Sequence, residues 1–201
     1  MAVAKAPSAR EAKRLQTRAR LMGAAIAEFK RSGMAEADVG AIVAAAGVAH
    51  GTFFFHFPTK EHVLLELERR EEDRIAKQFG QFLDSNDELA AALDESVRLV
   101  LDLERRLGDV LFKDFLALHF SQTRPPAEGG QDHSLIVLLA TRIEHARKSG
   151  DLDPELNSMS SAVIFLLGLY ALAITTNDPA RSDLITDHVK RTLRSMAVPG
   201  R

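Results

Sequence analysis

An all-α fold of about nine helices is what this sequence predicts, and two observations carry that expectation. Apolar residues recur with a period near 3.6 in almost every long segment, and no segment alternates convincingly at period two. Residues that start and stop helices then punctuate the chain at short intervals. With 201 residues, 46% of them apolar, the chain is long enough for one large domain or two small ones with a real core.

The elements follow in order. Ser8-x-x-Glu11 is a capping box that opens a first helix running to Lys30-Arg31, with Gly33 just past its end. Leu21, Met22, Ala25, Ile26 and Phe29 form its apolar stripe. Asp38 caps a short second helix over Val39–Ala46, and Gly47 marks its stop. A third, over about 49–56, halts before Phe57-Pro58, because a residue preceding proline avoids the helical region. Thr59 caps a long fourth helix reaching about Phe82, with Glu61 in its first turn. Ser85-x-x-Glu88 reads as another capping box, opening a fifth helix to about Arg106. A sixth helical segment spans about 109–120, followed by a loop over 123–130 rich in Pro and Gly, then a seventh helix over about 132–148 ending at Gly150. Asp153-Pro154 and Asp178-Pro179 each read as a cap followed by proline at the first helical position, opening final helices over 154–176 and 179–197.

Charge divides the chain. Residues 1–60 hold nine Lys/Arg and four acids, a net of +5, whereas the remainder carries 17 basic and 24 acidic residues, a net of −7. A basic first quarter on an acidic body suits a phosphate-binding module joined to a different function, although a solvated helix face explains charge alone equally well. The chain has no cysteine, so disulfides, thiolate metal sites and cysteine nucleophiles are excluded, and a cytoplasmic location is expected. The N-terminus is charged and lacks a signal-like apolar stretch. The longest apolar run, 162–174, has 13 residues and is expected to form a buried helix and not a membrane span.

The segment over 38–57 concentrates the functional signal. Two helices this short are not stable alone, so Val39, Ile42, Val43, Ala46, Val48, Phe53 and Phe57 are expected to pack on the first helix as a three-helix, helix-turn-helix unit. At about 100° per residue, Phe53 and Phe57 facing inward put Gly51 and Phe55 outward, flanked by Thr52 and Phe54, with His50 and His56 at the edges. Such a face is short, uncharged and aromatic, which suits a DNA major groove: Gly51 permits close approach, Thr52 reaches a phosphate or base, and the phenyl rings meet thymine methyls and sugars.

Thr17-Arg18, Leu21, Ala25, Phe29, Gly33, Ile42, Ala46-Gly47-Val48, Gly51-Thr52, His56-Phe57 and Lys60 together resemble the N-terminal signature of the TetR family of transcriptional regulators, over about residues 15–75. The resemblance implies a basic arm over 1–14, a DNA-binding domain over 15–75, and an effector-binding and dimerisation domain over 76–201. It assigns base reading to His50 and Phe55, and phosphate contacts to Thr52, His56 and Lys60. Gly51 and Phe54 complete the face, and Asp38, at the head of the second helix, is also expected among the DNA-binding residues. Three departures remove polar contacts: Phe54 stands where the family has tyrosine, Ala37 where threonine is common, and Gly40 offers no side chain. The arm's Lys5, Arg10, Lys13 and Arg14, together with Arg18, are therefore expected to carry more than the usual share of phosphate neutralisation.

The resemblance further implies a homodimer through the last two helices, double-stranded operator DNA as partner, and a small-molecule effector. The pairing agrees with the apolar run at 162–174 and an amphipathic partner carrying Leu184, Ile185, Val189, Leu193 and Met196. Phe112, Phe115, Leu116 and His119, with Phe165 and Tyr170, are the candidate effector contacts; their chemistry suggests a largely apolar effector, though each also reads as plain core. Helix four joins both domains, so an effector that tilts it would alter the spacing of two recognition helices. No cofactor or metal is expected. An enzyme or ligand carrier is the alternative, but the sequence has no Walker loop, GxGxxG, GxSxG or HExxH, and His50, His56 and His62 at intervals of six share no helix face.

Overall fold

In a computed structural model, which describes residues 8–121 and 134–198, nine helices form among the described residues. They are α1 (Ala9–Glu36), α2 (Val39–Ala46), α3 (His50–His56), α4 (Lys60–Leu83), α5 (Leu89–Leu107), α6 (Asp109–His119), α7 (Ser134–Lys148), α8 (Ser158–Thr175) and α9 (Ala180–Met196). No strand forms among these residues; a lone antiparallel bridge joins Leu152 to Ala197. The all-α expectation and the count of helices agree with this. Lys5, the loop over 123–130 and the expected start of the seventh helix at Asp132 lie outside the described residues.

The chain packs as two compact units, Met1–Leu67 with Leu107–Pro126, and Glu68–Arg106 with Ala127–Arg201. The division differs from a single cut near residue 75, because α6 lies against α1 and joins the first unit.

In the first unit, α1 buries Leu21, Met22, Ala25 and Phe29 and packs on α2, which buries Ile42, Val43 and Ala46, while α2 packs on α3, where Phe53 and Phe57 are buried. Ser8 caps α1 by accepting from the Glu11 amide at 3.2 Å. Gly33 interrupts the helix with φ 79° and ψ 160°, a conformation that L side chains rarely adopt. That break frees the Met34 amide, which donates to Asp114 Oδ2 of α6 at 2.6 Å. Arg10, Lys13 and Arg14 are exposed, yet they sit on the first turns of α1 and not on an extended arm.

In the second unit, α8 packs between α7 and α9. Glu144 of α7 takes Arg147 in a bidentate pair and the Ser158 hydroxyl at 2.8 Å, and these bonds hold its carboxyl down at about 2. Two helix starts differ from expectation. Ser85 bonds back to the Phe82 carbonyl and so closes α4, leaving α5 to begin at Leu89. The Asp153 amide donates to the Met196 carbonyl at 3.0 Å, which fixes 152–153 in the bridge; Asp153-Pro154 then makes a turn, and Asn157 caps α8 through the Ser160 amide.

Helix α8 has 18 residues with mean hydropathy 1.9, and a third of it is buried within the chain. By length and composition alone it is apolar enough to cross a membrane, unlike the 13-residue run considered by itself. Its exposed face, Ile164, Leu167, Ala171 and Ile174, follows the spacing of a helical seam.

Candidate nucleic-acid interface

Helix α3 is positioned by caps that the sequence supplies. Asp38 accepts from the Gly40 amide at 2.8 Å and the Ala41 amide at 3.2 Å, so both carboxylate oxygens serve the N-terminus of α2. Gly47 ends α2 in the left-handed region at φ 62°, ψ 44°, and its amide closes on Ala44. The turn delivers Ala49 as the cap of α3, with the Thr52 amide bonded to the Ala49 carbonyl at 2.9 Å.

The two faces of α3 separate sharply. Phe53 and Phe57 are fully buried, while Phe54 and Phe55 are 48% and 75% exposed. His50 and Gly51 are exposed beside them, and Thr52 is half-buried. The His50 ring leans on Phe54 with centroids 5.6 Å apart, so the outward surface is a continuous aromatic strip. A Cβ added at Gly51 would meet nothing in the chain within 4 Å, so internal packing does not demand glycine there.

His56 sits elsewhere than the helical wheel suggested. Its side chain lies inside, with the residue only 8% exposed, and its ring stands edge-on to Phe55 at 5.2 Å. Burial first, then the charges of Arg18 and Arg14, hold its imidazole below the usual histidine range. Position 56 is three residues from Phe53 and one from Phe57, so the i, i+3, i+4 spacing of the buried stripe was the signal for its burial.

The basic residues assigned to phosphates direct donors inward. Arg18 bonds the His56 carbonyl and the Glu66 carboxylate, with its guanidinium 4.1 Å above the centre of the Phe57 ring. Lys60 Nζ donates to the Ala35 carbonyl at 2.6 Å and the Ala37 carbonyl at 3.3 Å. Arg20, which the sequence did not single out, bonds the Ala46 carbonyl and approaches that of Gly47 at 3.4 Å. Each cation therefore meets carbonyls at or just past a helix C-terminus, where the peptide dipoles favour positive charge.

The expected effector contacts fall in separate units. Phe112, Phe115 and Leu116 are buried in the first, with His119 half-buried and its ring edge-on to Phe120 at 4.8 Å. In the second, Phe165 is buried and stacks flat on His188, with centroids 5.2 Å apart, and Gly168 leaves the space that the His188 ring fills. Burial pushes the Tyr170 phenol well up, and the carboxylates of Glu72 and Glu68 add to the shift. None of these lines the groove of about 690 Å³ between α5 and α9, whose floor includes Val97, Leu101, Ile185 and Val189.

A short helix displayed by a left-handed glycine turn, with an exposed aromatic face and a core on the other side, defines a helix-turn-helix DNA-binding module. Residues 21–67 match the bacterial regulatory proteins of the tetR family. This match identifies the N-terminal domain, over residues 21–67, as one of the tetR type. No curated protein sequence matches the chain. Among solved structures, the fatty acid degradation regulator FadR from Bacillus halodurans has a TM-score of 0.61 at 17% identity, covering 87% of this chain and 97% of its own. Thermus thermophilus FadR, a TetR family transcriptional repressor solved with lauroyl-CoA, has a TM-score of 0.63 at 22% identity and covers 88% and 91%. A tetR family transcription regulator from Shewanella sp. PV-4 has a TM-score of 0.63 at 20% identity, with coverages of 90% and 98%. At these identities the likeness is one of fold.

Proposed function

We propose that the chain is a cytoplasmic transcriptional repressor that binds a palindromic operator as a homodimer and leaves it when a small, largely apolar organic ligand binds. The single observation that carries the DNA half of this reading is the outward face of α3, where His50, Gly51, Phe54 and Phe55 stand free of the core. In the major groove this face reads bases through apolar and shape contacts, with His50 at a base edge and Thr52 within reach of the backbone. Arg10, Lys13 and Arg14, exposed at the start of α1, supply the phosphate contacts. Asp38 acts through its cap, not by touching DNA.

Two-fold symmetry places two such helices one DNA turn apart, and the exposed apolar seam of α8 beside α9 is the surface that supports pairing. The ligand half rests on kinship of fold with regulators such as the one solved with lauroyl-CoA. Phe165 and Tyr170, both in the second unit, are its proposed contacts. Helix α4 contributes residues to both units, so a ligand that shifts it changes the presentation of α3 and couples the two binding events reciprocally.

Footprinting on DNA upstream of the chain's own gene tests the reading. A protected palindrome whose protection is relieved by a small apolar compound is expected. Affinity that is equal for every duplex would overturn it, and steady chemical turnover of the bound compound would turn the reading toward an enzyme.

A further inference from the structure

Three cations in the first unit share one arrangement. Arg20 meets the carbonyls that end α2, Arg18 the His56 carbonyl that ends α3, and Lys60 the carbonyls of Ala35 and Ala37 beyond the break in α1. Arg18 differs from the others because its second arm is ion-paired with Glu66, two turns along α4. Its guanidinium also covers the Phe57 ring, the residue at which α3 stops. One side chain of α1 thus ties the last carbonyl of the recognition helix to the helix that follows it. Glu66 is largely buried, with 12% of its side chain exposed, and Arg18 is about one-third exposed, so this pair is shielded better than a surface ion pair.

We infer that Arg18 is a positioning residue for DNA reading: it sets the angle of α3 through Glu66 and the His56 carbonyl, and its charge is not a phosphate contact. The inference rests on the proposed DNA-binding function. Physically, the planar fork of arginine satisfies a carbonyl and a carboxylate at once, which a lysine point charge cannot. A carboxylate already neutralises the guanidinium, so Arg18 adds little to the field that a phosphate feels. A shift of α4 would move Glu66, and Arg18 would carry that displacement to the C-terminal end of α3.

The experiment compares wild type, Arg18→Gln, Glu66→Gln and the double variant for binding to the footprinted operator and to an unrelated duplex of equal length, over a range of salt. Positioning predicts that Arg18→Gln weakens operator binding about tenfold, equivalent to about 1.4 kcal/mol. Glu66→Gln should weaken it in the same direction, by about threefold or more. The double variant should be no worse than Arg18→Gln, because both remove one connection. The log–log salt slope and the affinity for unrelated DNA should stay at wild-type values.

A phosphate role predicts otherwise. Arg18→Gln would then lower the slope by about 0.9 and weaken both duplexes alike, while Glu66→Gln would leave binding unchanged or tighten it. Either result overturns the inference. So does normal operator binding by variants whose melting temperature alone falls, since that is a purely structural role. If Arg18→Gln does not fold, Arg18→Lys keeps the charge and loses the fork, and the same tenfold loss at constant slope is expected. Absence of a wild-type footprint would remove the DNA-binding reading itself, a result distinct from all of these.

Discussion

Phe55 leaves three quarters of its surface in water, which is costly for a phenyl ring on a helix that already buries Phe53 and Phe57. Because it touches little of its own chain, Phe55→Ala should hardly change the melting temperature. It should weaken operator binding by about 1–2 kcal/mol through lost apolar contact, and weaken unrelated DNA much less. Titration of both duplexes checks this; equal losses would mean that another face of α3 enters the groove. His56 gives a second outcome at this scale. Burial lowers its folded-state pKa, so the unfolded chain binds the proton more readily below the ordinary value of 6.5. The stabilising effect of the neutral ring is present above that value and is lost as the pH falls toward the lowered one. Melting curves between about pH 5 and 8 should show this loss in the wild type, and His56→Gln should flatten it.

Among the elements, α2 and its turn set where α3 points. Removing the cap with Asp38→Ala should cost about 1 kcal/mol, because two amides lose their acceptor. Gly47→Ala should cost about 1–2 kcal/mol for the left-handed backbone, with an Arg20 nitrogen only 3.0 Å from the added carbon. Chemical denaturation measures both, and operator affinity at low denaturant should fall with them only if the helix axis shifts. These caps were readable from Asp38, Gly47 and Ser8 because each bonds to its immediate neighbours. The starts of α5 and α8 were not, since Ser85 and Asp153 have local alternatives that tertiary contacts decide: one closes the preceding helix, and the other is held by the distant Met196 carbonyl. The inward donors of Arg18 and Lys60 were hidden for the same reason. The acceptors of Arg18 lie 38 and 48 residues away and those of Lys60 23 and 25, and composition registers only that both are basic.

At the scale of the whole molecule, the decisive surface is the seam of α8. Ile164 is 68% exposed, and Leu167, Ala171 and Ile174 continue the same line, while the opposite side, with Ala162, Phe165, Leu166 and Leu169, is buried. A third of this apolar helix is buried within the chain, and under the proposed pairing a second copy supplies the same stripe in a self-complementary way. Under the proposed function pairing matters for DNA, because each copy would present one recognition helix and a half-site alone offers few base contacts. Ile164→Asp places an unpaired carboxylate in the middle of that seam, where desolvation costs several kcal/mol. The variant should sediment as a folded monomer with its helical content intact. Its affinity for a full palindrome should fall to that for a single half-site, at least about tenfold weaker. Its salt slope should drop as well, since the phosphate contacts of the second subunit are lost. A variant that remained dimeric and kept the full palindrome would show that the two copies meet through another face.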